Sequence, residues 1–470
     1  MSRTVEFLMV AAAKPNILLF LTDDHAQWAL GCYGNREIRT PALDYLASRG
    51  VRMGNAFTPT PVCSPARACL LSGRYASQHG IHDYLGSGNP EINSIQRMAD
   101  EITLAQLLQA AGYQTALSGK WHLGQDEFPQ PGYDYWFTLG RKYPVPHEGP
   151  VEYGVDGEHQ LRTGRISDVI TDQALAFLRQ MDAARPFFLQ VGYYATHSPW
   201  AGHAEWLVDS YRRATFADIP ADETYPFGRQ NLESRNETRF NPREALAQYY
   251  AAVSEIDTAV GRLLDDLEAT GRLNNTIIIY TSDHGLNCGH HGIWGKGNGT
   301  LPLNMVEESI RVPLIFYGPD HLFAGQVRGE MVDHLDTFQT ILAMAGVSPP
   351  ERRYAGRSLW PLLQETGERQ PWRQRQFGEY GNVRMVRTDR HKLVRREPAG
   401  PHELFDLTND PRERQNLFAD PTCQTIVTEL SQAITAHFNH YEDPQKSGLN
   451  VRNQPRHNFT EAWREGGNTP

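Results

Sequence analysis

Short, almost wholly apolar runs alternate along the chain with longer stretches whose apolar residues recur every three or four positions. Residues 16–21 (NILLFL), 186–194 (PFFLQVGYY), 276–280 (TIIIY) and 313–317 (PLIFY) show little polar–apolar alternation. Runs of that length and character are strands buried on both faces, as in a parallel sheet. Residues 114–118 read as a further strand, directly after a short helix at 104–112 that closes on glycine. Residues 40–50 (TPALDYLASRG) carry helix punctuation, with Thr40 as N-cap, Pro41 in the first turn and Gly50 past the end. Residues 170–181 and 334–345 are expected helices. The clearest helix is 243–271, where Leu246, Tyr249, Tyr250, Val253, Ile256, Val260, Leu263, Leu264 and Leu267 share one face.

Strands alternating with helices predict an α/β fold, a large, mixed and mostly parallel sheet sandwiched by helices. In such sheets ligands sit beyond the carboxyl ends of the strands. Polar chemistry stands in those places. The buried runs are followed by Thr22-Asp23-Asp24-His25, by Gly119-Lys120-Trp121-His122, by Ala195-Thr196-His197 and by Ser282-Asp283-His284-Gly285. After about residue 363 the pattern changes. Residues 384–394 and 403–407 read as short, half-exposed strands and 423–438 as a closing helix, a smaller C-terminal antiparallel α+β subdomain. The expected organisation is a leader at 1–14, a catalytic domain at 15–365, the subdomain at 366–440 and a loosely held polar tail at 441–470.

Composition narrows the partners. The 470 residues carry a formal net charge of −10, which argues against a nucleic-acid binder and gives no general attraction to anionic membranes. No apolar run approaches the roughly 20 residues that span a bilayer. An anionic substrate therefore has to be held by local charge, a metal and a few placed Lys or Arg. Five cysteines, Cys32, Cys63, Cys69, Cys288 and Cys423, form no CxxC pair, so neither a disulfide framework nor a structural zinc site is expected. Cytoplasmic residence is the favoured expectation. A periplasmic or secreted destination is the alternative if residues 1–13, whose apolar stretch is interrupted by Glu6, serve as a signal peptide.

The sharpest segment is Cys63-Ser64-Pro65-Ala66-Arg67, followed by Leu71-Ser72-Gly73-Arg74. Pro65 places Cys63 at a helix N-terminus, where backbone N–H groups favour negative charge, with Arg67 one turn on. This run resembles the maturation motif of the type I, formylglycine-dependent sulfatases of the alkaline phosphatase superfamily. The resemblance extends from Pro15 to about Leu417. It takes in Thr22-Asp23-Asp24, Gly119-Lys120-Trp121-His122-Leu123-Gly124, Thr196-His197-Ser198-Pro199, Ser282-Asp283-His284-Gly285, Gly295-Lys296, Glu308-Ser309-Ile310-Arg311-Val312-Pro313 and Glu403-Leu404-Phe405-Asp406-Leu407 with Asp410-Pro411.

The resemblance implies that a maturation enzyme, the formylglycine-generating enzyme, oxidises Cys63 to formylglycine, whose hydrate is the nucleophile. It implies a divalent metal held by Asp23, Asp24, Asp283 and His284 together with the modified Cys63. Hard oxygen donors suit calcium or magnesium, and His284, where many relatives carry Asn, also admits manganese; calcium is favoured. Arg67, Lys120 and Lys296 are expected to hold the sulfate oxygens, His197 to act as general acid and His122 as base on the second hydrate hydroxyl. The implied activity is hydrolysis of a carbohydrate, aryl or alkyl sulfate ester. One alternative is a phosphonate monoester or phosphodiester hydrolase on the same site, favoured by His284. Another is a non-catalytic binder of sulfated ligands if Cys63 stays unmodified.

Other residues are read more plainly. Cys288, His290 and His291 belong to a loop positioning Lys296 rather than to a zinc site. His79 and His82, and likewise His25, Trp28 and Trp200, are candidates to line the substrate cleft. The Arg-rich stretch 384–396 is expected to be one face of a solvated hairpin. The polar segment 200–242 is expected to lie over the rim and set specificity.

Overall fold

A computed structural model describes residues 14–86, 95–140, 144–220, 229–230, 241–319, 321–322, 324–364 and 371–464. The leader expected at 1–14 lies, apart from Lys14, outside the described residues, as does most of the rim segment after residue 220.

Ten strands form the main sheet: β1 Asn16–Thr22, β2 Val51–Phe57, β3 Gln114–Gly119, β4 Tyr135–Leu139, β5 Glu148–Val155, β6 Glu158–Arg165, β7 Phe187–Gly192, β8 Thr276–Ser282, β9 Leu314–Tyr317 and β10 Gln326–Asp333. Their order is β10-β2-β9-β8-β1-β7-β3-β4-β5-β6. The five central strands β8, β1, β7, β3 and β4 are mutually parallel. β9, expected among them, runs antiparallel between β8 and β2. The apolar pattern marks burial on both faces, which β9 has, and says nothing of direction. β2, β10 and the β5–β6 hairpin lacked an apolar run and were not anticipated.

Alternate residues of each central strand enter different cores. Ile17, Leu19, Leu21, Ile277 and Ile279 pack under helices α2 Cys63–Ser72, α3 Leu104–Ala110 and α7 His334–Met344. Leu18, Phe20, Ile278 and Tyr280 face helices α1 Pro41–Arg49, α4 Ile166–Gln180 and α6 Pro242–Ala269, with α5 Glu205–Arg212 packed beyond on α6. Each such aliphatic side chain contributes about 1.5–3 kcal/mol by leaving water, which locks strand register. One local expectation fails. Thr40 makes no capping bond to α1. Asp257 of α6 accepts the Ala42 and Leu43 N–H groups instead, at 3.1 and 2.8 Å.

A second, antiparallel sheet of β11 Gln376–Tyr380, β12 Val383–Arg387, β13 His391–Arg396 and β14 Glu403–Asp406 is covered by helix α8 Gln424–Tyr441. Two expectations are corrected here. The 384–396 stretch is not solvated: Arg384, Arg387, Lys392 and Arg396 are buried and ion-paired to Glu442, Glu307, Glu413 and Glu403. Nor is the tail loose as far as residue 464. Val451, His457, Glu461, Ala462 and Trp463 are buried, and the tail holds segment 80–86, where the Gly86 N–H donates to the His457 carbonyl and the Asn458 amide to that of Tyr84. The aliphatic residues that would have signalled order are replaced by one Trp and by hydrogen bonds. Among the described residues no helix is long and apolar enough to cross a membrane.

Candidate active site

Four neighbouring parallel strands, β8, β1, β7 and β3, end on one rim and deliver Asp283 and His284, Asp23 and Asp24, His197, and Lys120 and His122. The β3 and β7 backbones come close there. Gly119 has φ +114°, and a Cβ on it would lie 2.1 Å from the Gly192 carbonyl oxygen, so only glycine fits where the two strands meet. Asp24 (φ 59°) and His122 (φ 60°) adopt the left-handed conformation that non-glycine residues avoid, a cost borne where chemistry requires an orientation.

Cys63 is the first residue of α2, all ten of whose residues are buried. Its thiol is 2% exposed and meets Asp23 Oδ1 at 3.3 Å, His284 Nε2 at 3.3 Å and Lys296 Nζ at 3.0 Å. His122 and His197 stand beside it. Lys120 pairs with Asp23, and Lys296 with Asp24 at 2.6 Å. Burial alone would push the thiol up, but Lys120, Lys296 and His284 hold it well below its ordinary pKa. Burial and Cys63 likewise oppose ionisation of Asp23, and Lys120, His197 and Lys296 keep it well below the usual carboxylate range.

Asp23, Asp24, Cys63 and His284 each offer a ligand atom, all within 4.8 Å of one another. His284 Nδ1 faces the Gly285 carbonyl at 2.9 Å, which leaves Nε2 aimed at the carboxylates. Burial opposes its charge, but Asp283, Cys63 and Asp24 raise it to about 9. Asp283 lies 3.3 Å from His284 Nε2, and burial with the Asp23 charge pushes its carboxyl up to about 7. This crowding of acidic groups around one imidazole lone pair fits a divalent cation.

Arg67 is buried, with Nε on Asp283 at 2.9 Å and its other nitrogens on the Lys120 and Thr22 carbonyls, so it fixes Asp283 and the strand ends. His122 is buried, its Nε2 on the Leu85 carbonyl at 3.0 Å, and burial plus Lys120 lower its pKa to about 4. His197 is partly exposed. Burial works against its charge, but Asp24 and Asp23 raise its pKa.

The plainer candidates divide. His79 and His82 are buried, against Cys69 and the Lys446 carbonyl beneath the tail, and do not line a cleft. His25 is buried on Tyr280. Trp28 and Trp200 pack with Tyr249, Trp28 only partly covered. His291 bonds Glu308 at 2.7 Å, and these two with Glu413 make a second cluster of possible ligands. Sequence reading missed Asn304. Its buried amide donates to the Lys296 carbonyl at 2.9 Å and its carbonyl accepts from Ser309, which sets the Lys296 loop. A lone Asn in a Gly- and Pro-rich loop leaves no periodic signal.

The rim and its setting define a hydrolase on the alkaline-phosphatase-like fold. Residues 15–347 match the Sulfatase family profile, and residues 289–440 match that of N-sulphoglucosamine sulphohydrolase, C-terminal. The chain belongs to the sulfatase family and is a sulfuric ester hydrolase. It is 29% identical to an N-acetylglucosamine-6-O-sulfatase of Bacteroides thetaiotaomicron, over 92% of this chain and 87% of that protein. It is 30% identical to a choline-sulfatase of Rhizobium meliloti, over 91% and 88%. A solved structure in complex with its substrate D-glucosamine-2-N,6-O-disulfate superposes with a TM-score of 0.79 at 28% identity, covering 91% of this chain and 98% of that one. The phosphonate monoester hydrolase of Agrobacterium radiobacter shares the fold, with a TM-score of 0.73 at 23% identity over 91% of this chain and 96% of that one.

Proposed function

We propose that this sulfatase acts on a sulfated saccharide through Cys63 oxidised to formylglycine. The observation that carries the reading is the convergence of Asp23, Lys296 and His284 on one buried thiol at a helix N-terminus, with His122 and His197 beside it. The saccharide follows from the glucosamine-type relatives and the C-terminal profile. The modifying partner is a formylglycine-generating enzyme.

Oxidation at Cys63 supplies an aldehyde whose hydrate bears two hydroxyls, one to attack sulfur and one to expel sulfate by reforming the aldehyde. Asp23, Asp24, Asp283 and His284 would hold a divalent cation, calcium in our reading because three of these donors are carboxylates, and it would supply Lewis-acid stabilisation of the sulfate oxygens. Lys296 and Lys120 offset charge that develops on those oxygens. His197 has its Nδ1 on the Ser198 carbonyl, so Nε2 is the atom that gives a proton to the leaving alcohol. His122, kept neutral, takes the proton of the second hydroxyl. Arg67 holds Asp283 in place.

Cys63→Ala is expected to lower kcat by about 10⁴-fold or more with unchanged melting. Normal turnover by that variant would refute the mechanism. Peptide mass spectrometry of the active protein should show a loss of about 18 Da at Cys63; an intact thiol in turning-over protein sinks the reading, and one in inert protein marks a mere binder. Chelated protein should regain most activity with calcium, and better recovery with manganese would reassign the metal. A clear preference for an aryl phosphonate over the matching aryl sulfate would overturn the choice of sulfur.

A further inference from the structure

His197 lies in residues 195–199, a segment with neither helix nor strand. Its aim comes from the contacts around it. Local supports are the His197 N–H on the Tyr194 carbonyl at 3.0 Å, the ring Nδ1 on the Ser198 carbonyl at 2.5 Å, and Thr196, whose N–H donates to the Asp23 carbonyl and whose hydroxyl donates to the Asp24 carbonyl, both at 2.8 Å. A further support is a column of rings. The Tyr194 ring stacks on His197 with centroids 5.0 Å apart and planes 25° apart. The His147 ring, tilted by 33°, has its centroid 5.2 Å from that of Tyr194, and the His203 ring lies 4.4 Å from His147. His203 Nδ1 anchors the far end on Glu255 of α6 at 2.8 Å. Tyr194, His147 and His203 are buried.

Two hydrogen bonds tie this column to the His197 backbone rather than only filling space. The Tyr194 hydroxyl donates at 2.9 Å to the Ser198 carbonyl, the same oxygen that holds the His197 ring. His147 Nε2 donates at 2.8 Å to the carbonyl of His197 itself. The nearer face of the column carries Lys120, whose Nζ stands 5.5 Å over the Tyr194 ring.

We propose that His147 is a positioning residue for His197, holding its ring where it protonates the leaving alcohol, with Tyr194 as the spacer between them. This rests on His197 being the general acid. A proton donor works only within hydrogen-bond reach of the departing oxygen, and a displacement of about 1 Å costs on the order of 100-fold. The effect must therefore depend on how much help the leaving group needs. A nitrophenolate leaves unaided, whereas a sugar alkoxide does not.

The test uses the mature, aldehyde-bearing protein with 4-nitrophenyl sulfate and an alkyl sulfate, glucosamine 6-sulfate. For His147→Leu, kcat on the alkyl ester should fall about 30- to 300-fold and on the nitrophenyl ester less than about 5-fold, with KM nearly unchanged. His147→Gln, whose amide reaches the same carbonyl, should stay within about 5-fold of the parent on both. The double variant with His197→Ala should be no slower than His197→Ala alone. Should the Leu variant fail to fold, His147→Asn, too short to reach the carbonyl, takes its place. If His197→Ala shows the split between esters and the His147 variants lose both activities equally, or add to it, the positioning role is overturned and the general acid stands. If His197→Ala itself shows no split, the general-acid reading falls and this inference with it.

Discussion

Two buried clusters of charge invite comparison, the one around Cys63 and the one at the seam between the main sheet and the C-terminal sheet. Each buries several acids and bases. In the seam every acid faces bases. Glu307 accepts from Arg311 at 2.7 Å, from Arg387 at 3.3 Å and from Lys392 at 3.2 Å, and Lys392 also pairs with Glu413. Around Cys63 each acid also has its base, Asp23 with Lys120, Asp24 with Lys296 at 2.6 Å and Asp283 with Arg67 at 2.9 Å. What differs is that Asp23, Asp24 and Asp283 also approach one imidazole atom, His284 Nε2, at 3.9, 3.2 and 3.3 Å. Buried charge alone therefore does not mark a site. Acids gathered on one ligating nitrogen do.

The contrast breaks if the two clusters respond alike. Lys120→Met should lower kcat by about 10³-fold while melting in added calcium stays within a few degrees of the parent, because an ion bound as proposed would still compensate Asp23. Lys392→Met should do the reverse. It strands Glu413, while Glu307 keeps Arg311 and Arg387, and costs about 3–5 kcal/mol of stability, with kcat per folded molecule unchanged. Loss of activity without loss of stability in the second variant would erase the distinction.

The smallest effect sharpens the scale. Asp257, the cap of α1, is a single buried carboxyl whose pKa burial raises from 3.8 to about 6 against the Leu43 and Ala42 N–H groups. The folded chain keeps a proton there that the unfolded chain has released, so its contribution to stability falls as pH rises from about 4 to 6. Asp257→Asn should remove that slope, on the order of 2 kcal/mol across the window, as read by denaturant melts at each pH. An unchanged slope would place the titration elsewhere.

The catalytic rim was legible because two patterns coincide, apolar runs and the polar residues that follow them. Asp23, Lys120, His197 and Asp283 each stand one to five residues past a strand end. What was illegible depends on partners distant in sequence. The basic residues 384–396 read as solvated because Glu307, Glu413 and Glu442 cannot be paired with them from local spacing. The bond from Arg67 to Asp283, 216 residues away, could not be read from local spacing. His147 and Tyr194 gave no signal, since a ring column has no period along the chain.

The tail that covers segment 80–86 sets a clock. The Leu85 carbonyl of that segment meets His122, and its N–H meets the Ser64 hydroxyl beside Cys63. Trp463, buried under the same tail, is made about 400 residues after Cys63, roughly 20–80 s at ordinary ribosome speed. If Cys63 is oxidised as proposed, a residue that the finished fold leaves 2% exposed would be open to the modifying enzyme during that interval and not after it. Slowing or hastening translation between these two points would then change the fraction of active molecules without changing a single atom of the folded protein.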